Sequence, residues 1–244
     1  MPGKLTSATP MIVVQQHRTA TDFLSATHSH LQDKERSSNI VFAHALKRLR
    51  KEVGNALTSP RDVEDWLHSP AHSVPEDPHA FWLTVWTVDP AKNRPTLDII
   101  LSCVDWALGN YPIFLWSPQP ADKAWVTPRI VKLTNSLLGC VPPERVFSVF
   151  GATWVVKTFS EYWTGLTGHE VESEPFYAAL LSYCTQSTFT HPSSRLPAGH
   201  VIRLATQSDV ESVAQLCKEF GDDSVSFFPS QNARSRKIED NSKP

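Results

Sequence analysis

Residues 80–89 read AFWLTVWTVD and carry apolar side chains on both alternating faces. Successive side chains of a strand point to opposite faces of its sheet, so a strand apolar on both is covered from both sides. This predicts an interior strand with helices packed above and below it. Two shorter β-branched or aromatic stretches follow, Pro95–Val104 and Tyr111–Trp116, with Gly109-Asn110 as a turn between them. Toward the N-terminus, residues 1–18 read as a lead-in with a short strand at Met11–Val14. Thr21–Lys34 has Phe23, Leu24, Thr27 and Leu31 at helical spacing. Asn39 is a candidate N-cap for a second helix, whose stripe is Ile40, Phe42, Ala43, Leu46, Leu49 and Val53 and whose stop is Gly54. Ser59 and Pro60 open a third helix over Arg61–Leu67. Residues 68–79 contain Pro70, Pro75 and Pro78 and read as a loop.

Toward the C-terminus, the Pro-rich loop Ser117–Ala121 precedes a helix over Asp122–Leu138, with Ile130, Leu133 and Leu137 on one face and Pro128 delaying its start. A strand at Arg145–Phe150, a helix at Ala152–Thr164 ended by Gly165, and a strand at Phe176–Gln186 complete the series. The expected fold class is α/β, with a mixed, mostly antiparallel central sheet flanked by helices. Residues 1–187 form this first module, and Ser187–Gly199 is rich in Pro, Ser and Thr, so 188–199 reads as a linker. An isolated strand and helix of a second unit follow at 200–229: His200–Ala205, then Gln207–Phe220 with Thr206 and Asp209 in a capping arrangement and Gly221 as its stop. Residues 230–244 have almost no apolar content and read as a disordered tail.

Hydrophobic residues make up 41% and charged residues 20% of the 244, enough to build a packed core, and the formal net charge of −2 argues against nucleic acid or an anionic membrane as the main partner. Apolar runs fall short of the ~20 residues that span a bilayer. A soluble, cytoplasmic protein is expected. Cys103, Cys140, Cys184 and Cys217 lack metal or disulfide spacing and read as buried free thiols. His68 and His72 are separated by Pro70 and read as loop residues. His28 and His30, two apart on a helix, read as solvated. The run Lys47-Arg48-Leu49-Arg50-Lys51 reads as a solvated helix end that complements the helix dipole. Ser148 lies in FSVFG, where a nucleophile elbow would need a first glycine. Trp82 and Trp86 on one strand, and Trp154 and Trp163 on one helix, read as core. No catalytic residue is assigned, and no metal-binding or cofactor-binding residue.

VIRLATQSDVESVAQLCKEFGDDS, residues 201–224, resembles the opening strand and first helix of GNAT N-acyltransferases through Arg203, Ala205-Thr206 and Asp209. The element order before it, together with FSEYWTGLTGH at 159–169, is similar to a degenerate GNAT copy over about residues 15–187. The resemblance implies an acyl-CoA-dependent N-acyltransferase ancestry, with acetyl-CoA or another acyl-CoA as cofactor of a complete member and a small amine as acceptor.

The same resemblance implies a Gly-rich turn, Q/R-x-x-G-x-G/A, whose backbone N–H groups hold the CoA pyrophosphate at a helix N-terminus. No glycine here has Gln or Arg three residues before it, and no G-x-G occurs. The corresponding stretch of the first module, SPQPADKAW at 117–125, has no glycine, two prolines that lack N–H donors, and Asp122, which repels phosphate. In the second unit the turn would fall past the last residue. A truncated chain is therefore expected; one hypothesis for the loss of patterning after Pro229 is that the domain's reading frame was left there, the other that the short form is genuine. It would be inactive alone, a pseudoenzyme that binds no acyl-CoA and packs against a catalytic GNAT domain or another protein.

Overall fold

The structure is a computed structural model that describes residues 9–54, 57, 59–69, 74–77, 80–106, 109–119, 122–175, 178–180, 182–190 and 196–224. It divides into two compact units, residues 1–172 and 173–244. The first contains β1 (Met11–His17), α1 (Ala20–Gln32), α2 (Glu35–Val53), α3 (Pro60–His68), β2 (Phe81–Val88), β3 (Thr96–Cys103), β4 (Asp105–Trp106), β5 (Gly109–Asn110), β6 (Ile113–Trp116), α4 (Lys123–Leu138), β7 (Val149–Gly151) and α5 (Thr153–Thr167). The second contains a 3-10 turn at Gln207–Asp209 and α6 (Val210–Ser224).

The main sheet runs β1-β2-β3-β6-β7, and β4 and β5 form a separate hairpin. β1, β2, β3 and β6 pair antiparallel in turn, whereas β6 and β7 are parallel. A parallel pair needs a crossover, and α4 supplies it. The class is thus α/β with a mixed sheet flanked by helices, and β2 is the interior strand that its two apolar faces demand. On one face Trp82, Leu97, Ile100 and Trp116 pack against Phe23 and Leu24 of α1, Leu49 of α2 and Val63 of α3. On the other, Leu83, Val85, Ile99 and Leu101 meet Ile130 and Leu133 of α4 and Val155 and Phe159 of α5. Phe23 stacks on Trp82 with ring centroids 5.0 Å apart at 9°.

Local chemistry sets the helix ends. Thr19 caps α1 by accepting from the Asp22 N–H, and Ser59 and Asp62 form a reciprocal capping box on α3. α2 starts at Glu35, so Asn39 lies inside it rather than at its cap. The connection from α1 is only Asp33-Lys34, and the buried Ser38 hydroxyl donates to the Leu31 carbonyl at the end of α1 (2.7 Å), which draws the second helix back to meet the first. Glu52, near the end of α2, returns to the start of α1 and accepts from the backbone N–H groups of Ala20 (2.6 Å) and Thr21 (3.0 Å).

Other expectations shift. β1 extends to His17 because β2 offers a partner along the whole length, from Met11↔Val88 to His17↔Trp82. Gly109-Asn110 is the returning strand of the β4–β5 hairpin and not its turn. Pro143–Arg145 is a 3-10 turn, and of the expected Arg145–Phe150 stretch only Val149 and Phe150 join the sheet, with Gly151 added to them. α5 runs past Gly165 and ends at Gly168, whose left-handed φ of 74° suits glycine. α4 is not delayed by Pro128, which sits within it and forgoes one backbone hydrogen bond. The described residues of 176–186 and of 200–205 form no strand, and α6 continues through Gly221. Gly151 permits close pairing of β6 and β7, since a Cβ there would stand 2.5 Å from the Leu115 carbonyl oxygen.

Candidate functional site

The β6–α4–β7 crossover is where chemistry would be sought first. Ligands of α/β sheets gather beyond the C-terminal ends of parallel strands, and a helix N-terminus there attracts anions. Ser117 leaves β6 with its hydroxyl donating to the Asp98 carbonyl (2.8 Å) and accepting from the Gln119 N–H (3.4 Å). Pro118 supplies no donor; Pro120 and Ala121 lie outside the described residues. Asp122 is the N-cap of α4, and its Oδ1 accepts from the Trp125 N–H at 2.8 Å. A carboxylate of the chain itself thus occupies the position that a phosphate oxygen would take. Lys123, the nearest cation in sequence, is paired with Glu161 of α5 at 3.0 Å.

Beneath this turn lies a buried ionic cluster. Arg129 of α4 donates through Nε to Asp98 Oδ2 (2.9 Å), through Nη2 to Thr87 Oγ1 (2.7 Å) and through Nη1 to the Trp125 carbonyl (2.8 Å), with its guanidinium 3.9 Å from the Trp125 ring centroid. The Thr87 hydroxyl donates to Asp98 Oδ2 (2.5 Å). A bulge makes this possible. Val85 pairs with Ile99 and Trp86 with Leu97, so Asp98 is the extra residue of β3. Leu97 then joins the α1–α2 face while Ile99 stays on the α4–α5 face. Asp98, between them, meets α4, as bulges often re-aim a side chain. The guanidinium donors that point at a phosphate in other settings are turned inward here.

A second polar chain was not legible as a site. His17 has no exposed surface. Its Nδ1 lies 3.0 Å from Asp22 Oδ2 and its Nε2 2.9 Å from Thr84 Oγ1, which also accepts from Trp86 Nε1 (2.8 Å). The tautomer that serves Asp22, Thr84 and Trp86 together has Nδ1–H donating to Asp22 and the Thr84 hydroxyl donating to Nε2. The order carboxylate, imidazole, hydroxyl is that of a nucleophile relay. Thr84, however, is buried in the middle of the sheet, so no substrate reaches it, and the chain acts as a pin between β1, α1 and β2. The one available signal was Thr84 itself, a polar residue in an interior strand, which must find a partner.

Burial holds the pKa of His17 below its ordinary value of 6.5, against the opposing pull of Asp22. Burial also lowers His28, opposed by Glu64, and His44, aided by Lys47. The unfolded chain therefore takes up these protons before the folded one does. Their contribution to stability is complete above pH 6.5 and lost as pH falls through that value. The urea midpoint should fall between about pH 7 and pH 5.5, above the ordinary carboxylate range. A midpoint constant over that interval would contradict the assignment of these groups as buried neutral imidazoles.

The remaining sequence candidates are structural. His28 and His30 are half-buried rather than fully solvated, each packing edge-on against an aromatic ring, Phe42 and Trp86 respectively. Arg48 turns out of its basic run into the interior, reaching Asp77 at 2.6 Å and also Asp105. Of the cysteines only Cys103 is buried, which pushes its thiol up to about 11; Cys140, Cys184 and Cys217 are exposed. Trp82 and Trp163 are buried, and Trp86 and Trp154 pack at the edges of the two cores. His68 caps the Glu64 carbonyl, and His72 lies outside the described residues. In the second unit Asp209 accepts from Arg203 (2.6 and 2.7 Å) and from the Thr206 N–H (2.7 Å), which together hold its carboxyl well below the usual range.

No family model, curated protein or solved structure matches the chain. Among the described residues, no group of three or more His, Cys, Asp and Glu side chains could hold a metal ion, and no helix is long and apolar enough to cross a membrane.

Proposed function

We propose that the first unit is a non-catalytic, GNAT-like module that works through contacts with another protein or domain. Its ancestry is that of the acyl-CoA-dependent N-acyltransferases. The observation that carries the reading is the Asp122 carboxylate seated on the Trp125 N–H at the opening of α4. A pyrophosphate there would face a fixed negative charge, and Pro118 cannot offer it a backbone donor. The buried Arg129 is saturated by Asp98, Thr87 and the Trp125 carbonyl, so it offers no replacement. Leaving aside the short α3 and the β4–β5 hairpin, the order β1, α1, α2, β2, β3, β6, α4, β7, α5 supports the ancestry, as do Arg203, Thr206 and Asp209 acting together at the start of α6.

Calorimetric titration of the chain with acetyl-CoA tests this. No saturable heat is expected up to millimolar ligand. Saturable micromolar binding would overturn the proposal and restore an enzymatic reading.

A further inference from the structure

β1 is an edge strand among the described residues, hydrogen-bonded on one side to β2 without any register shift. The opposite edge presents N–H and C=O groups along the strand. Edges of natural sheets are blunted by lysine, proline within the strand, bulges or a covering element. MIVVQQH has none of the first three. Met11 is 61% and Val13 40% exposed, while Ile12 and Val14 point to the core shared with α4. α4 packs across β1 and β2 and leaves a shallow groove of about 850 Å³ beside the strand. Its lining is Pro10 and residues 11–14 on one wall and Lys132, Asn135 and Ser136 on the other.

An open strand edge running beside a helix is the geometry in which an extended peptide adds as a further strand. We propose that this groove receives an extended peptide segment bearing a carboxylate, paired to β1 and facing Lys132. Lys132 is the one charged residue among those lining the groove, and it makes no ion pair among the described residues. A second copy of the chain is the poorer occupant. Antiparallel β1–β1 pairing about a two-fold axis places both α4 helices on the same face of the joined sheet. Two Lys132 side chains would then flank the seam, with no carboxylate in either lining. The proposal rests on the interaction-module reading, but the two tests are separate. Acetyl-CoA binding would overturn that reading and leave the groove, and failure of the peptide would leave the titration result standing.

The test uses the full chain and a short fluorescein-labelled peptide of alternating valine and threonine with one central glutamate, compared with its lysine counterpart. Fluorescence anisotropy should show saturable binding of the glutamate peptide, about threefold tighter than the lysine peptide, the scale of one solvent-exposed ion pair. Lys132→Glu, an exposed change on α4, should reverse that preference. Amide exchange at residues 11–16 should slow in the complex. Absence of saturable binding, equal affinity for the two peptides, or a preference that Lys132→Glu leaves unchanged would each overturn the proposal. So would slowing of the same amides by raised protein concentration alone, which would assign the groove to a second copy.

Discussion

Replacing Asp98 with alanine is expected to lower the unfolding free energy of the first unit by about 3–5 kcal/mol. Asp98 is 2% exposed, and its Oδ2 accepts from both Arg129 Nε and the Thr87 hydroxyl. Without it, a guanidinium is left in the interior with its charge uncompensated. The cost is therefore that of an orphaned ion, larger than the net worth of the pair. The double replacement Asp98→Leu with Arg129→Met removes both charges and should recover most of the loss. Urea unfolding followed by tryptophan fluorescence reads this cleanly, because all eight tryptophans lie between Trp66 and Trp163, within the first unit. A loss below about 1 kcal/mol for Asp98→Ala would mean the cluster behaves like a surface ion pair. A double variant no more stable than the single one would mean that the bulge depends on the ionic contact itself.

Phe23→Ala should cost a similar amount, about 3–5 kcal/mol, by a different mechanism. Phe23 is fully buried, stacks on Trp82 and meets the His17 ring edge-on at 5.9 Å. Truncation removes the stack, leaves a cavity between α1 and the sheet, and frees His17 on one side. Phe147→Ala, at a position 36% exposed, should change stability by no more than roughly 0.5 kcal/mol. Equal midpoints for the two variants would show that the α1 layer is not part of the cooperative core.

Much of the architecture was legible because apolar periodicity is a local signal. AFWLTVWTVD states by itself that β2 is covered twice, and Phe23, Leu24, Thr27 and Leu31 lie on the buried side of α1 as their spacing requires. Capping was legible at Ser59 and Thr206 because it too is a local signal, whereas the cap at Asp122 was seen only in the fold. What could not be read depends on tertiary partners. The start of α2 is set by Ser38 reaching Leu31, the partner that Asp98 meets at the bulge is Arg129 thirty-one residues away, and the His17 chain needs Thr84 sixty-seven residues away. The exposed cysteines were missed because apolar neighbours in sequence are not neighbours in a core. At the candidate site, the unfavourable residues of the crossover were legible one by one. Their arrangement was not: the sequence placed a carboxylate near a helix start, and the structure seats it on the donor.

Gly151 was notable in the sequence only for failing to head a phosphate turn. In the fold it stands against the Leu115 carbonyl, with room for a hydrogen and nothing larger. The last rung between β6 and β7 is thus closed by a single codon. Every other amino acid brings a carbon to that spot and wedges the two parallel strands apart at the end from which α4 departs. Mutational drift at this one position would change the shape of the sheet before it changed its composition, and a gap between β6 and β7 is one substitution away.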